Sequence, residues 1–217
     1  MEIWNYFVQF MAQLLTYCFD FTQTLGFPSY GIAIIILTII IKAVLSPLTV
    51  KQIKSMRGMQ KLQPRMKELQ EKYKKDPKKL QMEMGKLYKE MGVNPLSGCL
   101  PLIVQMPFLI AMFYALRDYA YNPAYEHFLW LPSLSATDPW YILPILSAIS
   151  TYFMSKQTAV DGGMGGQQKI MQIFMPLFIG YISLQFPSGL VIYWVVSNLF
   201  QLVQQSFIYR HMDKEEA

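Results

Sequence analysis

Charge is scarce in this chain of 217 residues: 15% are Asp, Glu, Lys or Arg, against 53% hydrophobic. Soluble domains carry about 25% charged residues, so the composition excludes an ordinary soluble fold and points into a bilayer. Intrinsic disorder is excluded on the same ground. Cysteine is also scarce. Cys18 and Cys99 are the only two, and neither belongs to a CxxC pair or a ligand cluster, which excludes a disulfide scaffold, a redox motif and a zinc site. The two histidines, His127 and His211, lie outside the apolar segments, and no HExxH, Ser/His arrangement or carboxylate pair occurs. An enzyme is therefore not expected, nor a metal or cofactor. The N-terminus lacks the basic n-region and small-residue cleavage site of a signal peptide, and Tyr17 before Cys18 does not suit lipoprotein processing.

What is abundant is apolar sequence in runs. Five candidate membrane spans stand out, at 31–50, 98–116, 140–154, 170–184 and 188–208. Two of them hold only 15 residues, below the roughly 20 that cross about 30 Å of hydrocarbon, and short spans thin the bilayer around them. Pro107, Pro144, Pro176 and Gly180 interrupt the runs, as suits a bundle whose helices shift. The fold class expected is an all-α polytopic membrane protein.

The net charge of +5 is unevenly distributed. Lys51 to Lys89 holds 13 of the 19 basic residues; with Glu68, Glu71, Asp76, Glu83 and Glu90 counted, segment 51–92 carries 13 − 5 = +8. Segments 51–92, 155–169 and 209–217 together hold 17 Lys/Arg, whereas 1–30, 117–139 and 185–187 hold only Arg117. By the positive-inside rule the N-terminus lies outside and the C-terminus in the cytosol.

Three further features stand out. In segment 1–29, Ile3, Phe7, Phe10, Met11, Leu14, Cys18, Phe21 and Leu25 recur at helical spacing opposite Asn5, Gln9, Gln13, Thr16, Asp20 and Thr24. That pattern predicts an amphipathic helix lying in the outer interface, with a helix packed on other protein as the alternative. In segment 51–92, Leu62, Met66, Leu69 and Tyr73 repeat at 4-3-4, as do Leu80, Met84, Leu87 and Met91. Two helices should pair through these seams, with Pro64 starting or kinking the first arm and Asp76-Pro77 capping the second. Arms of roughly 12–15 residues would be about 18–22 Å long. Such a methionine-rich basic hairpin offers Met66, Lys72, Lys74, Lys75, Lys78 and Lys79 to acidic lipid, ribosomal RNA or nascent chain; the alternative is a connector that merely obeys the positive-inside rule. No nucleic-acid fold signature accompanies the charge, so sequence-specific RNA reading is not expected.

The third feature is a cation inside the membrane. Lys42 follows ten residues of which only Thr38 is polar and sits about 16 Å from the start of its span. A lysine at that depth costs about 2.5–3.5 kcal/mol, and no span contains an Asp or Glu to pair with it. A water-filled groove is the better expectation. Trp194, Asn198, Gln201 and Gln205 recur at 4-3-4 in the last span and form one wall of it, with Gln105 and Ser155 as further candidates. The same stripe has a competing use as interhelical hydrogen-bonding glue.

The runs TIIIKAVLSPLTVKQIKSM, LQPRMKELQEKY, NPLSGCLPLIVQMP, LSATDPWYILPIL, QQKIMQIFMP and FPSGLVIYWVVSNLFQLVQQSFIYR, in that order, resemble the YidC/Oxa/Alb family of membrane protein insertases over about residues 30–210. The resemblance implies an insertase core at 30–217 with five spans, an outer amphipathic helix and a cytosolic hairpin. It implies a groove, open to cytosol and lipid, that transiently holds the polar or acidic tail of a nascent membrane protein while its apolar segment slides into the bilayer. Carried over by position, the groove cation falls on Lys42, the groove threonine on Thr38, the aromatic of the last span on Trp194 with Tyr193 beside it, and a substrate-contacting position on Phe108. The chain departs from the pattern where the family usually has arginine, at Lys42, which offers a point charge in place of a bidentate fork. The resemblance is to the short bacterial form, without a large extracytoplasmic domain or a long basic C-terminal tail. It implies nascent membrane proteins, anionic lipid, the ribosome and the Sec translocon as partners, and the bacterial cytoplasmic membrane as the location. A small anion transporter or channel built on Lys42 is the competing hypothesis, against which no inverted repeat is evident.

Overall fold

The structure, a computed structural model, describes residues 2–92, 100–158 and 165–215, the side chains at 100–102, 165–171 and 215 excepted. Gly98 and Cys99 of the expected second span, and Gly162 and Gly163 of segment 155–169, lie outside the described residues. The described chain forms eight helices: α1 (Glu2–Thr24), α2 (Tyr30–Lys61), α3 (Gln63–Lys72), α4 (Pro77–Glu90), α5 (Leu100–Arg117), α6 (Ile142–Thr158), α7 (Gly165–Ser183) and α8 (Ser188–Glu215). The all-α expectation holds.

α2 starts where Ser29 accepts a hydrogen bond from the Ile32 amide, which satisfies one of the amides orphaned at a helix start. It then continues eleven residues beyond the expected end of the first span at residue 50, as far as Lys61. Residues 51–61 therefore belong to the first long helix and not to a separate hairpin arm. They hold good helix formers and bury Gln52, Ile53, Met56 and Met59, so nothing breaks the helix before Pro64. α3, with Pro64 in its first turn, has 10 residues, about 15 Å, shorter than the expected arm. α4 has 14 and begins as expected, with the Asp76 carboxylate accepting from the Lys79 amide at 3.1 Å. Leu62, Met66 and Leu87 close the seam between them, flanked by Leu69, Met84 and Tyr88.

Helices α5, α6, α7 and α8 overlap the ranges of the other expected spans, with shifted ends. α6 begins after Trp140 and Tyr141, and α7 ends before Leu184. By length and composition α2 is apolar enough to cross a membrane, and Ile103–Arg117 and Gln172–Ser183 are shorter apolar stretches.

The pairing of α6 with α7 carries the signature of a lipid environment. Ile145, Ile149, Phe153, Ile173, Phe174, Leu177, Phe178 and Tyr181 are exposed, while Ser147 and Ser183 face each other at 2.9 Å in the interior. Gly180 lies so close to α6 that a Cβ there would stand 2.9 Å from the Ala148 Cβ. Large apolar groups outside with small and hydroxyl groups between helices is the pattern expected where solvent itself is apolar.

α1 packs on α2 and α5. It buries Met11, Leu15, Cys18, Phe19 and Thr22, and leaves Ile3, Phe10, Phe21 and Leu25 exposed. The stripe read from the sequence is therefore divided. Its Met11 and Cys18 belong to the packed face together with Leu15 and Phe19, which the stripe omitted, because α1 is apolar around much of its circumference.

The segment between α5 and α6 seats on the start of α8. Ser188 donates through both its amide and its hydroxyl to the Ala136 carbonyl, each at 2.8 Å, and the Gly189 amide donates to the Leu134 carbonyl at 2.9 Å. Leu131 and Leu134 are buried beneath it. The Asp138 carboxylate accepts from Trp130 Nε1 at 3.0 Å and from the Trp140 and Leu143 amides at 3.0 and 2.6 Å, which fixes the entry into α6. In the same segment burial works to raise the Glu126 carboxyl, but hydrogen bonds from the Ser133 and Ser135 hydroxyls and the Ser135 amide outweigh it and leave the group below the usual range. Gly31 admits the Phe128 ring, which a Cβ at that position would overlap.

Candidate functional site

Three helices bring polar side chains to one depth. Lys42 lies 12 residues into α2, Gln201 lies 13 residues into α8, and Gln105 of the antiparallel α5 lies 12 residues before its end at Arg117. At 1.5 Å per residue all three stand about 18–20 Å from the same end of the bundle. There the Lys42 ammonium donates to Gln105 Oε1 at 2.9 Å and to Gln201 Oε1 at 3.2 Å. Lys42 is 7% exposed, and among the described residues no carboxylate pairs with it. An ammonium only donates, so both amides must turn their oxygens toward it. That leaves Gln105 Nε2 to donate to the Tyr193 hydroxyl at 2.6 Å, and Tyr193 is fully buried. The result is a chain from Tyr193 through Gln105 and Lys42 to Gln201.

The remaining expected groove residues are distributed differently. Thr38 is buried one turn from Lys42, and its hydroxyl donates to the Ile34 carbonyl of its own helix at 2.6 Å. Trp194 Nε1 donates to the Thr151 hydroxyl at 3.1 Å, and Asn198 Nδ2 donates to Ser150 and Thr151 at 3.2 and 3.1 Å. Those two residues fasten α8 to α6. The stripe 194, 198, 201, 205 is straight along α8, but its neighbours change along it: α6 faces Trp194 and Asn198, and Lys42 faces Gln201. Gln205 is fully buried and donates to the Tyr209 hydroxyl at 2.7 Å. Phe108, half-buried on α5, meets the ring of Phe7 on α1 edge-on at 5.5 Å. Ser155 lies on α6, half-buried.

On the hairpin, Lys72 and Lys79 flank the Tyr73 ring, each 5.5 Å from its centre. Lys74, Lys75 and Lys78 are exposed around the turn. Met66 is 1% exposed, so it fills the seam and is not presented to a partner. The exposed methionines of the hairpin are Met82 and Met91.

Sequence reasoning missed a second polar layer toward the C-terminal end of α8. Gln204 donates to Ser46, Gln157 Nε2 to Ser206 at 2.9 Å, and Gln60 Nε2 to the Gln157 carbonyl at 3.0 Å. The Arg57 guanidinium pairs with Asp213 at 2.7 Å and lies over the Tyr209 ring. The signal was available in the spacing of Gln52, Met56 and Met59, which continues the buried face of α2 past residue 50.

The family model described as 60Kd inner membrane protein matches residues 21–215. The membrane protein insertase YidC of Haemophilus influenzae (strain ATCC 51907) is 44% identical over 206 residues, covering 95% of this chain and 38% of the relative. That of Pasteurella multocida is 43% identical, with the same two coverages. Among solved structures, an active YidC insertase with its first transmembrane domain resolved superposes with a TM-score of 0.72 at 31% identity, covering 93% of this chain and 45% of that one. The chain thus spans under half the length of each of these relatives.

Proposed function

Because the chain belongs to the 60Kd inner membrane protein family, and its YidC relatives are named insertases, we propose that it inserts proteins into a bacterial inner membrane without covalent chemistry. The observation that carries this is Lys42: a buried cation held by two neutral amides, with no carboxylate paired to it among the described residues. A structural ion pair would come with its anion. A cation whose anion is missing is suited to receive one, here an acidic residue in the short polar tail of a client. Hydrogen bonds from charged groups are worth about 1.5–3 kcal/mol net, enough to offset part of the cost of drawing a carboxylate into the bundle. The client's apolar segment then passes into lipid along the exposed apolar faces of the bundle, while Tyr193, Trp194 and Asn198 hold the surrounding helices in place.

The proposed domain plan is an outer helix at 1–29 and an insertase core at 30–217, with the N-terminus outside and the C-terminus in the cytosol. The basic hairpin turn of Lys72, Lys74, Lys75, Lys78 and Lys79 is suited to anionic lipid or the ribosome, and the Sec translocon is a further proposed partner. The anion-channel alternative has less support, since the segment between α5 and α6 hydrogen-bonds across the outer start of α8.

The test is reconstitution of the full chain in vesicles of anionic and zwitterionic lipid, with in vitro synthesis of a single-span client bearing a short acidic tail. The tail is expected to become protected from added protease in vesicles that contain the protein and to stay accessible in empty ones. Equal protection in both would contradict insertion. An anion leak without protection would favour the channel.

A further inference from the structure

The two amides that hold Lys42 are not equivalent. Gln105 is engaged at both ends, accepting from Lys42 at 2.9 Å and donating to Tyr193 at 2.6 Å. To turn away it must break both bonds and leave the buried Tyr193 hydroxyl without its partner. Gln201 is engaged at one end only. It accepts from Lys42 at 3.2 Å, is half-buried, and its amide nitrogen has no partner among the described residues. An ammonium has three donors, and two are occupied here by neutral carbonyl oxygens. A carboxylate is the stronger acceptor for it; with Lys42 only 7% exposed, a carboxylate that reaches it must pass a side chain already there, and Gln201 is held at one end only.

We propose that Gln201 is an exchangeable partner of Lys42 which gives way to a client carboxylate, while Gln105, locked by Tyr193, is a positioning residue that keeps the ammonium in place during the exchange. The identity of the client rests on the insertase role proposed above; the exchange itself concerns only Lys42, its two glutamines and a carboxylate. It makes the site selective. A neutral amide or hydroxyl in a client tail is no better an acceptor than Gln201 and does not displace it, whereas an aspartate or glutamate does.

The exchange is read directly at Lys42 in the full chain, held in lipid nanodiscs with a synthetic peptide bearing an acidic head and an apolar tail. A zero-length carbodiimide joins a carboxylate to an amine in contact with it, and mass spectrometry quantifies peptide coupled at Lys42 relative to exposed Lys75. Gln201→Leu is expected to raise coupling at Lys42 two- to fivefold over the native chain. Gln105→Leu and Tyr193→Phe are expected to lower it at least threefold, in protein whose thermal unfolding shows it to be folded. A fall for Gln201→Leu matching that for Gln105→Leu would overturn the proposal, since both glutamines would then be fixed supports. So would absence of coupling at Lys42 in the native chain and Gln201→Leu alike. The asymmetric pattern in a chain that inserts no client would leave the exchange standing and remove the insertase function; insertion with a symmetric pattern would do the reverse.

Discussion

Lys42→Leu is expected to reduce insertion of a client with an acidic tail by roughly tenfold to a hundredfold, and to leave a client with a neutral polar tail within about twofold of the native rate. The magnitude follows from the bond that is lost. A hydrogen bond to a charged group contributes about 1.5–3 kcal/mol, and each 1.4 kcal/mol is about tenfold. The fold should survive the change. Gln105 keeps its bond to Tyr193, and removing a buried charge that has no counter-ion relieves desolvation, so thermal unfolding is expected at or above the native temperature. Lys42→Arg should retain most activity, since the charge remains, though a planar fork of five donors matches two amide oxygens differently from an ammonium. The measurement is protease protection of the client tail in reconstituted vesicles. An equal loss for acidic and neutral tails would mean that Lys42 supports the bundle and does not receive charge.

Asp138→Ala is expected to give the largest loss of stability, about 3 kcal/mol, judged from the usual contributions of hydrogen bonds to charged groups and of helix caps. One buried carboxylate serves three donors: the Trp130 indole and the Trp140 amide on one oxygen, the Leu143 amide on the other. Removing it leaves the first turn of α6 uncapped. It also frees the segment whose Leu134 and Ala136 carbonyls hold the start of α8. Asp138→Asn should cost roughly half as much, because one oxygen still serves two donors while the new amide group opposes the Leu143 amide. Thermal unfolding in detergent, native against both variants, measures it. Three equal unfolding temperatures would show that Asp138 does not anchor the segment.

Much of this was legible from residues alone where the determinant is local. Asp76-Pro77 dictates the start of α4 because both a cap acceptor and a fixed φ are written into two adjacent residues. In the hairpin seams Leu62, Met66, Leu69, Met84 and Leu87 follow from the 4-3-4 spacing, whereas Met91 at the end of the second seam is exposed, and Lys42 is conspicuous because nothing else charged lies in its span. What escaped depends on neighbours. Periodicity gives the angle of a side chain around its own helix but not which helix faces it at each depth, so the stripe on α8 was read as one wall although Trp194 and Asn198 meet α6 and Gln201 meets Lys42. α1 is apolar on two sides, so spacing alone did not choose the face with Leu15 and Phe19. α2 continues past residue 50 because its extension buries Ile53, Met56 and Met59 against other helices, an interaction invisible to a hydropathy window.

The most direct test of Lys42 as the charge receptor is a charge swap. Lys42→Glu is compatible with the same framework, since both glutamines can reverse their amides to donate to a carboxylate and the Tyr193 hydroxyl can donate to Gln105 in return. Insertion should then be measured for two clients that differ only in the tail, one acidic and one basic. The native chain is expected to favour the acidic tail and Lys42→Glu the basic one. An unchanged preference for the acidic tail in Lys42→Glu would contradict a charge-receptor role for Lys42.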